Sequence, residues 1–185
     1  MVQQPHKRQL FRGYYLSLVL LAAALVTTAL TPLRAAEYSA GLGAVEEGDD
    51  RGRGTAILQA AFANNWSSKL YVWGRSYGPV TETSGIVSVG KRYDIFGSKN
   101  IHSMIAFSSL AESTSIEYKD APSESSSYTS TNFGLMLGIS YDLYKSKSLN
   151  VTASWDSHLY AAGEAVLLLV TGRKQILGLT AGITL

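Results

Sequence analysis

The sequence predicts an all-β fold: an eight-stranded antiparallel up-and-down transmembrane β-barrel preceded by a cleavable signal peptide. Three observations predict it. Two long segments alternate between apolar and polar residues. At the amino terminus, a basic segment is followed by an apolar run, as in an export signal. Long and short connections tend to alternate along the chain. Together they describe a chain that is exported and then re-enters a membrane as strands.

The longest alternation runs through residues 132–160. Every odd position from Phe133 to Leu143 is large and apolar. The even positions are Asn132, Gly134, Met136, Gly138, Ser140 and Asp142, of which only the methionine is large and apolar. After the link YKSKS the alternation resumes, with Asn150, Thr152, Ser154, Asp156, His158 and Tyr160 on the polar side. A period of two is that of a β-strand, and two strands of about a dozen residues match a tilted bilayer crossing.

The amino terminus has the three parts of a secretory signal. Lys7, Arg8 and Arg12 precede the apolar run LSLVLLAAALVTTAL, and the small-residue exit TPLRAA follows it. This order predicts a signal peptide over residues 1–35, cleaved after Ala35 or Ala36, and a barrel over residues 36–185. The alternative is an uncleaved membrane anchor, because the apolar run is about long enough to span a bilayer.

Removal of the signal peptide changes the charge of the protein. All 14 acidic residues lie at or beyond Glu37, whereas 4 of the 16 basic residues precede it, so 12 basic and 14 acidic residues remain, a net charge of −2. The basic pI of the whole chain therefore does not predict nucleic-acid binding. The chain has no cysteine, which excludes disulfides, thiolate metal sites and a thiol nucleophile.

Six further strands follow from weaker alternation elsewhere in the chain. They are predicted over residues 38–45, 55–63, 69–77, 83–93, 101–110 and 175–185. In the third of the eight strands, Tyr71, Trp73 and Arg75 are predicted to point inward, because an arginine facing lipid costs a few kcal/mol at mid-depth. The charged, glycine-rich segment 46–54 and the serine-rich segment 112–130 are predicted as loops. The segment 161–173 is the third predicted loop, and its apolar middle either extends strands above the membrane or folds over the mouth of the barrel.

The connections indicate which ends of the strands face outside. Three of the four odd-numbered connections are long, and the even-numbered ones, NNWSS, DIFGSKN and YKSKS, are short. Outer-membrane barrels show this asymmetry, with short periplasmic turns and longer extracellular loops. Closure of the sheet also leaves no unpaired strand edge in lipid.

With the strands placed, the chain resembles the small eight-stranded outer-membrane barrels of Gram-negative bacteria, the OmpA/OmpX-like group. The resemblance covers residues 38–185 as a pattern, and the terminal segment ILGLTAGITL is similar to the signal that the barrel-assembly machinery recognises. Such signals usually end in Phe, whereas this one ends in Leu185. The resemblance implies an outer-membrane location, with membrane lipid, lipopolysaccharide and the assembly machinery as partners.

The interior of an eight-stranded barrel is just filled by side chains. The inward polar residues are therefore predicted to form a hydrogen-bonded plug, and Arg75 or Lys69 is expected to pair with Asp142 or Asp156 across the lumen, because buried ions must be paired. A narrow conducting pore is the alternative. The three histidines are scattered, so neither a metal site nor a cofactor is predicted.

An enzymatic alternative centres on the segment SWDSHLY. Ser154, Asp156 and His158 lie on one face of a strand, and a serine, a histidine and an acid could carry out acyl transfer. The PagL family of outer-membrane lipid A deacylases is similar in placing a histidine on a late strand, with a serine two residues from it. Here Tyr160 occupies the position matching that serine.

The function predicted from these observations is a structural or surface-interaction role, such as adhesion or ligand binding, carried by the extracellular loops. Loops presented by a rigid scaffold are the usual place for recognition. The alternatives are a lipid A-modifying hydrolase, which would use the candidates above, and a narrow pore.

Overall fold

The computed structural model describes residues 35–47, 50–118, 125–161 and 170–184. These residues form a closed barrel in which each strand pairs antiparallel with the next and the last pairs with the first. The strands are β1 (Ala35–Glu47), β2 (Asp50–Phe62), β3 (Trp66–Tyr77), β4 (Val80–Asp94), β5 (Ile101–Ile116), β6 (Ser126–Lys145), β7 (Leu149–Ala161) and β8 (Val170–Thr184). The predicted fold class and the order of its eight strands are confirmed.

The predicted signal peptide lies outside the described residues, apart from Ala35, which begins β1, and it stays a prediction. Among the residues that are described, no helix is long and apolar enough to cross a membrane. A 3-10 turn, Ala63–Asn65, joins β2 to β3. We call the end of the barrel that carries this turn and the links 95–100 and 146–148 the turn end, and the opposite end the protruding end.

The outer surface of the barrel is apolar, as the alternation predicted. On β6, Phe133 is 71% exposed, and the following odd-numbered residues to Leu143 are exposed with it, whereas Met136 and Asp142 are buried inside. Other strands contribute further exposed side chains to the same surface: Leu42, Leu58, Ile105, Phe107, Leu177, Leu179 and Ile183. A continuous apolar surface of this kind marks a contact with membrane or with another protein.

Two predicted loops begin and end in strand, so their predicted bounds were wrong. Within the segment 46–54, β1 and β2 stay paired up to Glu47 and Asp50. Within the segment 112–130, β5 and β6 stay paired up to Ile116 and Ser126. The serine-rich segment has no apolar face, but a strand beyond the apolar belt needs none, and threonine favours strands. The third predicted loop, 161–173, begins and ends in strand, and residues 162–169 lie outside the described part of the chain.

At the protruding end, the four neighbouring strands β3–β6 stay paired beyond the last rows of the β2–β3 and β6–β7 pairing. Pairing between β2 and β3 stops at Ala56 and Val72, and pairing between β6 and β7 stops at Gly134 and Tyr160. β3, β4, β5 and β6 nevertheless remain paired for a further five rows or more, over residues 73–77, 80–84, 112–116 and 126–130. We call this four-stranded block the protruding sheet.

Candidate functional site

A buried ion pair occupies the centre of the lumen. Lys69 Nζ lies 2.9 Å and 2.8 Å from the two carboxylate oxygens of Asp156, which is fully buried. The hydroxyls of Tyr71 and Ser154 also donate to this carboxylate, at 2.8 Å and 3.1 Å. Gly138 on the neighbouring strand makes room for it, because a Cβ there would collide with Asp156 Oδ1. The predicted cross-lumen pair is therefore confirmed for Lys69 and Asp156.

A second polar cluster lies nearer the turn end. Asp142 Oδ2 lies 3.1 Å from His102 Nε2, and Asp142 Oδ1 accepts a hydrogen bond of 2.9 Å from the Thr152 hydroxyl. His102 Nδ1 lies 2.7 Å from an oxygen of Asp94, where β4 ends. Lys145 Nζ adds a longer contact of 3.3 Å to Asp142. Asp142 is thus inside the lumen as predicted, and its charged neighbours come from the turn end.

Of the two cations predicted as partners of these aspartates, Lys69 forms the pair and Arg75 does not. Its side chain is 39% exposed and pairs with Glu82, whose carboxylate accepts from Arg75 Nε at 2.6 Å. The residue has the inward orientation that the alternation predicted, but it lies in the protruding sheet, beyond the last row in which β3 pairs with β2. Tyr71 and Trp73, four and two residues earlier, are buried in the lumen as predicted.

The hydroxyl that contacts His158 comes from β5, not from its own strand. Ser108 Oγ lies 3.0 Å from His158 Nδ1 and 3.1 Å from the hydroxyl of Tyr160. His158 also contacts the Tyr71 ring edge to face, with ring centroids 5.2 Å apart. The predicted partner, Ser154, bonds to Asp156 instead. Sequence reasoning missed Ser108, which is 50 residues from His158 and whose only signal was its inward position on β5.

The Ser108–His158 pair is the kind of arrangement that acyl transfer uses, but it is enclosed. Ser108 is 4% exposed and His158 is 0% exposed. Nearer the protruding end, the lumen is filled by an apolar cluster from seven strands, made of Val45, Ile57, Tyr71, Trp73, Ile86, Leu110, Tyr160 and Ile176. The predicted hydrogen-bonded plug of polar residues therefore fills only part of the lumen, and apolar side chains fill the rest. A lumen filled by buried side chains in this way disfavours both a water column and access of a lipid substrate.

Replacing Ser108 by alanine is expected to lower the free energy of unfolding by about 1–3 kcal/mol, because it leaves buried polar groups of His158 and Tyr160 without a partner. Urea unfolding of the purified protein in detergent micelles measures the change. Ser109→Ala, at the next residue and on the opposite face, is the matched control and should change stability little. A Ser108→Ala variant of unchanged stability that had lost a lipid-modifying activity would instead assign the pair to catalysis.

Ionic contacts cover the inner face of the protruding sheet. The Glu82 carboxylate accepts from Arg75 and from the hydroxyl of Tyr77, and Arg53 lies 3.5 Å away. The hydrogen bond from Arg75 lowers the pKa of Glu82, and the hydrogen bond to Glu82 raises the pKa of Tyr77. Close by, Lys174 Nζ lies 2.6 Å from Glu112 Oε1. The cations of this face are therefore engaged with carboxylates.

The fold and the filled lumen define a class: small eight-stranded barrels of the outer-membrane type. The crystal structure of Ail, the attachment invasion locus protein of Yersinia pestis, is similar, with a TM-score of 0.51, 14% sequence identity, and coverage of 82% of this chain and 99% of Ail. Ail in complex with the heparin analogue sucrose octasulfate gives a TM-score of 0.50, 15% identity, and coverage of 80% and 98%.

Neisserial surface protein A gives a TM-score of 0.49 at 12% identity, over 80% of this chain and 95% of that protein. No protein-family model matches the chain, and no curated protein matches its sequence. The similarity to Ail, at 14% identity, establishes the fold and leaves function to the chemistry of this chain.

Proposed function

We propose that the chain is an outer-membrane protein of a Gram-negative cell that binds extracellular partners through its protruding sheet. The exposed apolar belt supports the membrane placement, because soluble monomers rarely expose a continuous apolar surface of this kind. In this proposal residues 1–35 direct export and are removed, and the barrel-assembly machinery inserts residues 36–185. The turn end then faces the periplasm and the protruding end faces outside, as in other barrels of this class.

The observation that carries the binding proposal is the open edge of β6. Among the described residues, no strand pairs with residues 126–133 on the side away from β5. Soluble strand edges are usually protected by lysine, proline or a bulge, because their free N–H and C=O groups bind other strands. The segment SSYTSTNF contains no charge and no proline, and its register with β5 is regular throughout. An extended peptide segment of a partner protein fits such an edge by strand addition.

The sulfated saccharide bound by Ail is a less suitable ligand for this chain. At the protruding end, Arg53 and Arg75 share the carboxylate of Glu82, and Lys174 pairs with Glu112. A polyanion would have to break these pairs before it could bind the cations. We therefore expect sucrose octasulfate to bind weakly, and titration calorimetry of the purified barrel measures this.

Adhesion of cells that display the protein tests the role of the edge. The variant Tyr128→Lys/Ser130→Lys places two charges on the edge strand, and it should reduce attachment to cultured epithelial cells to the level of cells without the protein. Thr114→Lys is the matched control, because Thr114 pairs directly with Tyr128 on the same face but lies on the inner strand β5. Equal attachment by wild type, the edge variant and non-expressing cells would contradict the proposal.

A further inference from the structure

The link between β4 and β5, at the turn end, contains a strained turn. Ser98 N donates to Ile95 O at 3.1 Å, and the two residues between them, Phe96 and Gly97, have positive φ angles of 55° and 67°. A turn with both central residues in this region is of type I′, in which asparagine and glycine are the usual residues. A bulky aromatic residue strains the backbone there, so the turn itself does not account for Phe96.

The link between β2 and β3, at the same end of the barrel, shows the ordinary choice of residue. Asn64 and Asn65 occupy its two positions of positive φ, at 60° and 62°. Asparagine visits this region readily because its short polar side chain can form local hydrogen bonds. Phe96, in contrast, does not pack against the barrel. Its side chain is 88% exposed, more than the 71% of Phe133 in the apolar belt. The ring is therefore free to contact a partner.

The strained turn stands on a rigid base. Asp142 N, on β6, donates to Asn100 O at the end of the link, at 2.9 Å. Asp94 and Asp142 also hold the imidazole of His102 between them, at 2.7 Å and 3.1 Å. These contacts tie the link to the strands on both sides of β5. The turn is thus positioned before any partner binds, which lowers the entropy cost of binding.

Phe96 lies beyond the aromatic residues at the edge of the apolar belt. Trp66, Tyr93 and Tyr141 are exposed on the outer surface near the turn end. Tryptophan and tyrosine are typical of the membrane–water interface, because their rings are apolar and carry one polar group. Phe96 is three residues further along the chain than Tyr93, up to about 10 Å of extended backbone, compared with a headgroup layer of about 5–8 Å. The ring therefore reaches the aqueous side of the headgroup layer.

Cations lie on the same link and on the link between β6 and β7. Lys99 and Lys147 are exposed, and neither forms an ion pair with any residue that the structure describes. Lys145 is 47% exposed and makes a contact of 3.3 Å with the buried Asp142. The exposed carboxylate of Asp94 is already held by the imidazole described above. In contrast to the cations of the protruding end, these lysines are available to an anionic partner.

We call Phe96, Lys99, Lys145 and Lys147 the turn-end surface. The two links that carry it contain only six and three residues, whereas a stable complex of two proteins takes about 20–30 residues from each partner. A surface of this size binds weakly in a one-to-one complex. It becomes effective when many copies in one membrane bind a single repeating ligand, because each bound copy raises the effective concentration of the ligand for the next.

We propose that the turn-end surface binds peptidoglycan, the carboxylate-bearing saccharide polymer of the cell wall. The lysines match the carboxylates of its peptide stems through charge-assisted hydrogen bonds. The face of the Phe96 ring is negative, so it attracts the C–H groups on the apolar face of a sugar ring. The inference rests on the outer-membrane placement proposed above, in which the turn end faces the periplasm, and it is independent of the open edge of β6.

The strain at Phe96 makes a sharp test possible. Phe96→Asn introduces a residue type that suits the positive φ, so the barrel should unfold at a higher urea concentration. Its affinity for peptidoglycan should nevertheless fall about tenfold, the effect of losing an aromatic anchor. Phe96→Trp keeps an aromatic ring on the same strained backbone and is the matched control, with unchanged affinity. Co-sedimentation of the purified barrel in detergent micelles with purified sacculi gives the dissociation constant.

The lysines provide a second measurement in the same assay. Lys99→Gln should weaken binding about two- to threefold at low salt, and added salt should reduce this difference because exposed charges are screened. Lys91→Gln is the matched control, since Lys91 lies at the same end but beside the Trp66 ring, 5.7 Å from its centroid, on the lipid-facing side. Sacculi whose carboxylates have been amidated should no longer distinguish Lys99→Gln from the wild type.

The competitors identify the ligand chemistry. Soluble wall fragments should compete with sacculi, whereas polyglutamate and glycerol phosphate should not. Equal competition by polyglutamate would overturn the proposal in favour of an acidic protein chain, and equal competition by glycerol phosphate would overturn it in favour of lipid headgroups. Unchanged affinity of Phe96→Asn would also overturn it. Electrophoresis with and without boiling confirms that each variant is folded. Membrane fractionation tests the outer-membrane placement separately, so failure of one proposal is distinguishable from failure of the other.

Discussion

Asp156→Leu is expected to destabilise the barrel by about 3–5 kcal/mol, the cost of leaving a buried charge without its partner. Lys69 Nζ is held by both oxygens of this carboxylate, and both side chains are shielded from solvent. Tyr71 loses its acceptor at the same time. Urea unfolding in detergent micelles, followed by the mobility difference between folded and denatured protein on gels, measures the change.

The double variant Lys69→Met/Asp156→Leu is the decisive control for this prediction. It removes both charges, and apolar replacements of a buried ion pair are often neutral or stabilising, so it should recover more than half of the loss. Glu82→Gln, in the exposed pair with Arg75, should cost less than about 1 kcal/mol. If the single and double variants were equally unstable, the loss would come from packing or from Tyr71 rather than from the isolated ammonium group.

Leu137→Arg is expected to cost about 2–4 kcal/mol, the penalty for an arginine on the lipid face of a barrel near the membrane midplane. Leu137 lies in the middle of the outward apolar run of β6 and is exposed on the surface of the isolated chain. In a water-soluble protein the same change at an exposed position would be close to neutral. Folding into phospholipid vesicles, measured as a function of urea concentration, gives the difference.

Thr129→Arg provides the comparison on the same strand and the same face, eight residues closer to the protruding end. It lies beyond the belt, where the penalty falls to about 0–1 kcal/mol. Similar stabilities for the two variants would show that the apolar surface does not contact lipid. That result would remove the membrane placement on which the proposed function depends.

The positions of the strands could be predicted because each has a repeating pattern of its own. In β6 the period of two extends over eleven residues from Phe133 to Leu143, and the structure has the same residues outward. The ends of β5 and β6 could not be predicted in this way. Beyond the belt both faces are polar, so the alternation that marks a strand disappears although backbone pairing continues to Ile116 and Ser126.

The candidate site was predicted in part, and the limit again has a physical cause. The inward direction of Lys69 and Asp156 follows from alternation, and their pairing follows from the cost of an isolated buried charge. The same reasoning assigned Arg75 to the lumen, because alternation gives the direction of a side chain but not its height along the barrel. The apolar cluster around Ile57 and Ile86 was missed for a related reason. On a strand whose alternation is weak, the sequence pattern does not distinguish an isoleucine that points inward from one that points outward.

The apolar side of each strand and the number of strands that cross the membrane follow from the amino-acid sequence alone. Both properties depend only on residues that are close together along the chain. Three arrangements are visible only in the folded structure: Ser108 lies beside His158, the lumen nearer the protruding end is apolar, and the charges of the protruding sheet lie on its inner face. Those arrangements depend on the register between strands and on closure of the barrel, which bring together residues that are far apart in the chain.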